Sequence, residues 1–398
     1  MTRLGFHVSG SESLSDVNRP NFLIDKTPAG PFAYVETVEH LYQALGVTSK
    51  NVATVLGAIE EVSAYSTRFH RIRGKVRRIR VPTPLVMELH RRISRILEAF
   101  AADLAQACCG YAPGRSTRIN AAPHCGQNFI QQLDIQDFFP STRRETVARA
   151  LESCGASSAI ADHIVDITMD GDSLPLGGPC SPMLSNLVLR SFDFVVQELA
   201  ESQGIRFTRY ADDITLSSSE PFDLSEFVRA NLSEIGYTLN PLKSRMRRRG
   251  EAITVTGLSV FEASGPRLPK NYKRSLRQQL YFVERFGLLD TAFYGQQLEM
   301  DGWVPGDAEL DTWEPQDDPY DLVKQTRWFK KQLRGRLLYA RSIEKEWFDG
   351  VVLRFPQAAA AIVGAPRSNE RRDAWLSKFA DSIISFESPL EVEHRPSR

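Results

Sequence analysis

Two adjacent carboxylates, Asp212 and Asp213, stand in Tyr210-Ala211-Asp212-Asp213 between two short β-forming runs, Phe207-Thr208-Arg209 and Ile214-Thr215-Leu216. Apolar and aromatic residues on both sides of a short acidic turn predict a β-hairpin with the acids at its tip. Two like charges held there are costly, and a divalent cation offsets that cost. Read alone, the tetrapeptide is an ordinary solvated turn. A third carboxylate shifts the balance. The run Phe129–Asp134 reads as a strand that points its last residue at a site. On its own Asp134 fits a satisfied strand-end aspartate. Beside the Asp212-Asp213 tip it completes the set for two cations about 4 Å apart, which activate an attacking oxygen and steady a leaving phosphate.

Such acids need elements to carry them. Apolar spacing predicts helices over 35–45 and 51–63, and Thr83-Pro84 offers an N-cap and a first-turn proline for a helix running on through Leu104. Helices are expected over 144–152 and 159–168, then one long helix from Ser181-Pro182 to Glu201. After the hairpin come a helix over 224–235 and a strand over 253–261. Beyond Pro269 the pattern is mostly helical, resuming over 322–346, and the tail after Pro389 is expected to be disordered.

The 398 residues are 42% hydrophobic and 25% charged, enough for a real core, and 49 basic residues cancel 49 acidic ones. Neutrality hides segregation. From Arg68 to Arg80 there are seven Lys or Arg, with His70 among them and no acid; Lys243 to Arg249 is a second basic block. Residues 299–321 carry nine acids with Trp303 and Trp313 and no Lys or Arg. This pattern suits a basic groove that tracks phosphates. The acidic stretch reads as a surface insertion, either a solvated loop or a dock for a protein. Five cysteines without a CxxC pair argue for a reducing compartment, and no run reaches the length of a membrane span, so a soluble, intracellular protein is expected.

Asp134 with Phe139, then Leu174-Pro175-Leu176-Gly177-Gly178-Pro179-Cys180-Ser181-Pro182-Met183-Leu184-Ser185-Asn186, then Tyr210-Ala211-Asp212-Asp213, resemble motifs A, B and C of reverse transcriptases in order and spacing. Asn240-Pro241-Leu242-Lys243-Ser244 resembles motif D, and the likeness spans roughly residues 65–345. It implies an α+β right-hand polymerase fold. The fingers would be 65–130, the ferredoxin-like palm 131–265 with a residual fingers segment 141–175, and the helical thumb 266–350 with the insertion 299–321. An N-terminal arm with helices (1–64) and a C-terminal extension and tail (351–398) would flank them.

The resemblance also implies roles. Asp134 and Asp212 would bridge two Mg2+ ions, with Asp213 as third carboxylate and the Ile135 backbone as a further metal ligand that helps to hold a triphosphate. Phe139 occupies the steric-gate position, where a ring under the sugar excludes a 2′-hydroxyl and favours dNTPs. Lys75 and Arg77 would pair with the triphosphate, and Gly177 belongs to the nucleotide-binding loop. Arg71, Arg73 and Arg80 read as a solvated basic ribbon on template phosphates. Lys243 is either the general acid for pyrophosphate or one more phosphate-contacting lysine. Leu176 departs from the family's usual Gln, so altered dNTP handling or fidelity is expected.

Asn120-Ala121-Ala122-Pro123-His124 and Val255-Thr256-Gly257 fit two signatures of retron reverse transcriptases, although His124 alone would read as a core histidine. This likeness implies a bacterial cytoplasmic enzyme that binds one structured non-coding RNA. It would prime on a guanosine 2′-hydroxyl and leave a branched RNA–DNA product (msDNA), which a host ribonuclease H trims. Anti-phage defence with a separate effector protein is implied too. RNA recognition would fall to Asn120, His124, Val255, Thr256 and Gly257, with Lys273, Arg274 and Arg277 on the thumb. The rival readings are another bacterial defence reverse transcriptase with untemplated or protein-primed synthesis, and a non-catalytic RNA–effector scaffold.

Overall fold

Short β-branched and aromatic runs separated by helical stretches build one four-stranded sheet in this computed structural model, which describes residues 32, 35–47, 64–72, 75–299 and 322–364. Its strands are β3 (Phe129–Asp134), β4 (Arg206–Tyr210), β5 (Asp213–Ser218) and β6 (Arg245–Arg248), in the order β4-β5-β3-β6. Helices connect β3 to β4, a tight hairpin joins β4 to β5, and the helix Ser225–Glu234 leads on to β6. This is the β-α-β-β-α-β order of a ferredoxin-like palm. A further hairpin precedes it, β1 (Tyr65–Ile72) and β2 (Lys75–Pro82), carrying the basic ribbon.

Burial explains the arrangement. Ile214 and Leu216 on β5 and Ile130 and Leu133 on β3 are buried, whereas Arg245, Met246 and Arg248 on β6 are exposed, as suits an edge strand. The helix Ser181–Val188 is buried nearly all round and sits inside the core, while Arg190–Ser202 lies along β4. The expected single helix over 181–201 is therefore two, with Leu189 (φ −87°, ψ 2°) turning the chain between them. Hydrophobic spacing runs through that joint because Leu189 is itself fully buried. The helix begun at Thr83-Pro84 is Pro84–Leu97 and ends in a 3-10 segment, Glu98–Asp103, that still buries Phe100.

The strand expected over 253–261 is instead a miniature hairpin, β7 (Thr254–Val255) and β8 (Leu258–Ser259). Thr256 (φ 45°) and Gly257 (φ 79°) form its turn, and two successive positive φ values mark the type I′ geometry of two-residue loops. The helix Lys270–Glu299 breaks at Gly287 (φ 81°, ψ 170°) and packs on Leu322–Ile343 and Pro356–Val363. The described residues form two compact units, one within 1–69, 78–120 and 129–247, the other within 70–77, 121–128 and 248–398. The N-terminal arm, the helix expected over 51–63, the acidic insertion and the tail lie outside the described residues. Among the described residues, no helix is long and apolar enough to cross a membrane.

Candidate active site

Asp134 and Asp213 are direct cross-strand partners at the end of the β3–β5 ladder, and Tyr210 faces Asp213 across β4–β5. Opposed residues of an antiparallel pair project from the same face, so the register delivers two carboxylates side by side. Asp212 sits in the turn, its carbonyl accepting the Ile135 N–H at 3.0 Å. Ala211 holds a left-handed backbone (φ 57°). Opposite it, a Cβ on Gly110 would lie 2.8 Å from the Ala211 nitrogen, so only glycine lets the two segments approach.

Beneath the turn lies a group of residues that sequence reasoning missed. Arg209 and Asp193 are fully buried and form a two-pronged ion pair at 2.6 and 2.5 Å. The same guanidinium donates to the Ala211 carbonyl (3.0 Å) and to Asn186 Oδ1 (3.3 Å), and Asn186 Nδ2 donates to the Gly110 carbonyl (2.8 Å). Burial opposes the charge on Arg209, but Asp193 and then Cys108 hold it, and the net shift keeps the guanidinium protonated. The signal for this network was present as a charged residue in a strand (Arg209) and another on the apolar face of a helix (Asp193), both of which need partners when buried.

Lys243 reaches back over the site. Its Nζ donates to Asp134 Oδ1 at 2.6 Å, and the Asn240 N–H bonds the Asp134 carbonyl at 2.8 Å, so the motif D segment is fastened to the strand end. Among the described residues, no three His, Cys, Asp or Glu side chains form a ready metal cluster. The donor set is nevertheless all hard oxygen, and Mg2+ is ordinarily held by one or two carboxylates plus substrate phosphates rather than by a closed protein cage. Asp134, Asp212, Asp213 and the Ile135 backbone fit that chemistry.

Phe139 lies on the short helix Phe138–Ser141, half-buried, with Phe138 more deeply placed and its ring 5.3 Å away. Gly177 (φ 125°) belongs to the loop that meets β2: a Cβ there would sit 2.8 Å from the Arg80 carbonyl oxygen, and the Arg80 N–H donates to the Leu176 carbonyl at 2.9 Å. Arg80 itself is not a solvated ribbon residue. Its guanidinium grips Asp170 at 2.5 and 2.9 Å and Thr67 at 2.6 Å, which corrects its reading as a template contact. Lys75 and Arg77 lie on β2, and their side chains are outside the described residues.

The RNA-binding candidates separate by burial. Asn120, His124 and Val255 are wholly buried, which corrects their reading as side chains in direct contact with RNA. Thr256 and Gly257 form the accessible hairpin tip. Residues that follow the first signature meet residues on either side of the second: the Gly126 N–H donates to the Val260 carbonyl at 2.9 Å, and Arg249 N–H to the Asn128 carbonyl at 2.8 Å. Lys273 is engaged by buried Glu344 at 2.8 Å and lies over Trp347, so it too is corrected from RNA contact to internal tie. Arg274 and Arg277 are exposed.

Residues 66–260 match the family described as reverse transcriptase (RNA-dependent DNA polymerase). The chain is 33% identical over 230 residues to the Retron Mx65 reverse transcriptase of Myxococcus xanthus, covering 52% of this chain and 53% of that one. It is 34% identical over 201 residues to the Retron Ec86 reverse transcriptase of Escherichia coli, covering 49% and 60%. The chain thus spans only 53% and 60% of these two relatives. Among solved structures, apo telomerase from Candida tropicalis is similar at TM-score 0.43 and 10% identity, covering 84% of this chain and 69% of that one. Telomerase from Candida albicans in complex with the TWJ fragment of telomeric RNA is similar at TM-score 0.38 and 11% identity, covering 81% and 64%. With the motif order intact on the β4-β5-β3-β6 sheet, residues 66–260 carry a match to the reverse transcriptase family, and the chain is similar to retron reverse transcriptases over about half of its length.

Proposed function

We propose that this protein is an RNA-directed DNA polymerase that copies a cognate structured non-coding RNA from dNTPs. The observation that carries this reading is the Asp134–Asp213 cross-strand pair, with Asp212 beside it in the turn and Lys243 at 2.6 Å from Asp134. Asp134, Asp212 and the Ile135 carbonyl would hold two Mg2+ ions, with Asp213 as third carboxylate; when bound, the ions supply charge for the attacking and leaving oxygens. The chain's own residues do the rest. Phe139 lies under the sugar and excludes a 2′-hydroxyl. Lys75 and Arg77 pair with the triphosphate. Lys243 offers an ammonium where the pyrophosphate departs.

In this reading the first nucleotide joins a guanosine 2′-hydroxyl of the RNA, leaving a branched RNA–DNA molecule that a host ribonuclease H trims. The ribonucleoprotein restrains a separate effector in anti-phage defence. The retron relatives and the two signature segments support this assignment. Asp212→Asn with Asp213→Asn is expected to abolish DNA synthesis while RNA binding persists. Wild-type synthesis by that double variant sinks the catalytic assignment. Sequencing nucleic acid that copurifies with the protein tests the priming step: a 2′-branched RNA–DNA species is expected, and unbranched DNA made without a cognate RNA points to another defence polymerase.

A further inference from the structure

Tyr111 occupies a position that backbone sterics disfavour. Its φ is 60°, a left-handed conformation that glycine holds without cost and a bulky side chain rarely adopts. The surrounding chain fixes it there. The Arg209 N–H donates to the Ala107 carbonyl at 2.7 Å, the Cys109 N–H to the Arg209 carbonyl at 2.8 Å, and Asn186 holds the Gly110 carbonyl. The segment therefore runs beside β4 and turns at Tyr111, a residue 43% exposed. That ring lies 6.4 Å from Phe139 and 6.0 Å from Tyr210, centroid to centroid and tilted to both. Such separations are those of favourable aromatic pairs. Phe139 also meets Phe138, which in turn meets Tyr237 at 5.7 Å.

We propose that Tyr111 is a positioning residue for sugar discrimination, bracing the Phe139 ring from the side of the catalytic turn. Phe138, fixed against Tyr237, supports Phe139 from within the core, and Tyr111 closes the open side. Without it the Phe139 ring gains room to swing away from the sugar. The Tyr210 contact ties this brace to the hairpin that carries Asp212 and Asp213. This inference rests on Phe139 being the ring under the sugar, so the test must separate the two.

The measurement is kcat/KM for a dNTP and for the matching rNTP, with full-length protein on a primed RNA template. Tyr111→Leu is expected to raise the rNTP/dNTP ratio about threefold to tenfold, the range that one aromatic pair contributes. Tyr111→Phe, which keeps the ring, should retain the wild-type ratio. A ring that serves only packing would lower both rates together and leave the ratio alone. Phe139→Ala is the control for the underlying reading. If Phe139→Ala admits rNTPs and Tyr111→Leu stays within about twofold of wild type, the brace is rejected and the gate stands. If Phe139→Ala leaves the ratio unchanged, gate and brace fall together. Should Tyr111→Leu not fold, Tyr111→Asn, which has no ring and tolerates the left-handed backbone, is read by the same ratio and the same limits.

Discussion

Arg209 and Asp193 form an ion pair with no exposure to solvent, and the Arg209 guanidinium also donates to the backbone carbonyl of Ala211 in the acidic turn. A buried charge left without its partner is strongly destabilising, by about 3–5 kcal/mol. Asp193→Asn should therefore lower stability by about that amount in urea titration. Replacing both charges with apolar residues of similar volume (Arg209→Met with Asp193→Leu) should restore much of the stability. It should not restore activity, because the Ala211 carbonyl loses its donor. A double variant that is stable and fully active would show that the pair has no part in holding the turn.

Lys243 donates to Asp134 and stands on the exposed side of the site. Lys243→Ala should reduce kcat by about two orders of magnitude if it transfers a proton to the leaving group, with little change in KM for dNTP. A phosphate-contacting lysine would give the opposite division, with KM raised and kcat nearly intact. Steady-state kinetics on a homopolymer template distinguishes the two.

Gly177 combines a positive φ with a close approach to the Arg80 carbonyl. Gly177→Ala is incompatible with both and should destabilise by more than about 1 kcal/mol. Since the loop leads into the helix Ser181–Val188, the apparent KM for dNTP should rise as well. Thermal melting and dNTP titration read the two effects separately, and an unchanged melting temperature counts against the packing argument.

His90 is wholly buried, and burial pushes its imidazole down to about 4. The hydrogen bonds assign Nε2–H to the Ile167 carbonyl (3.1 Å), which leaves Nδ1 to accept from the Cys180 thiol (3.1 Å). The unfolded chain binds the proton at about pH 6.5 and the folded one only near pH 4, so stability falls as pH drops through that window. The loss at about pH 5 should be about 2 kcal/mol. In His90→Gln that contribution disappears, so the gap between variant and wild type should narrow from about pH 7 to about pH 5 in urea titrations. A gap independent of pH contradicts a neutral buried His90.

The sheet and its carboxylates were legible because they are written locally: β-forming runs, a two-residue turn, and an acid at each strand end. The ferredoxin-like order followed from the resemblance, and the strands appear in that order. What stayed hidden depends on partners distant in sequence. Nothing near Arg80 announces Asp170, and nothing near Lys273 announces Glu344, so both cations read as nucleic-acid contacts although each is tied within the protein. Val255 reads as an exposed signature residue but is buried, because Thr256 and Gly257 fold the segment into a hairpin that turns Val255 inward. Tyr111 escaped because a left-handed tyrosine carries no sequence mark.

The pairing of Phe129 with Ser218 through Asp134 with Asp213 makes the active site an indexed object. A slip of one residue between β3 and β5 would carry every side chain of the slipped strand to the opposite face. Leu133 would then take the place of Asp134, and two carboxylates that now stand together would be parted by the thickness of the sheet. Point substitutions at surrounding core positions can be absorbed by repacking, but a single inserted or deleted residue within either strand shifts the register unless a bulge takes it up. The length of these two strands, as much as the identity of the acids they carry, is what the chain has to preserve.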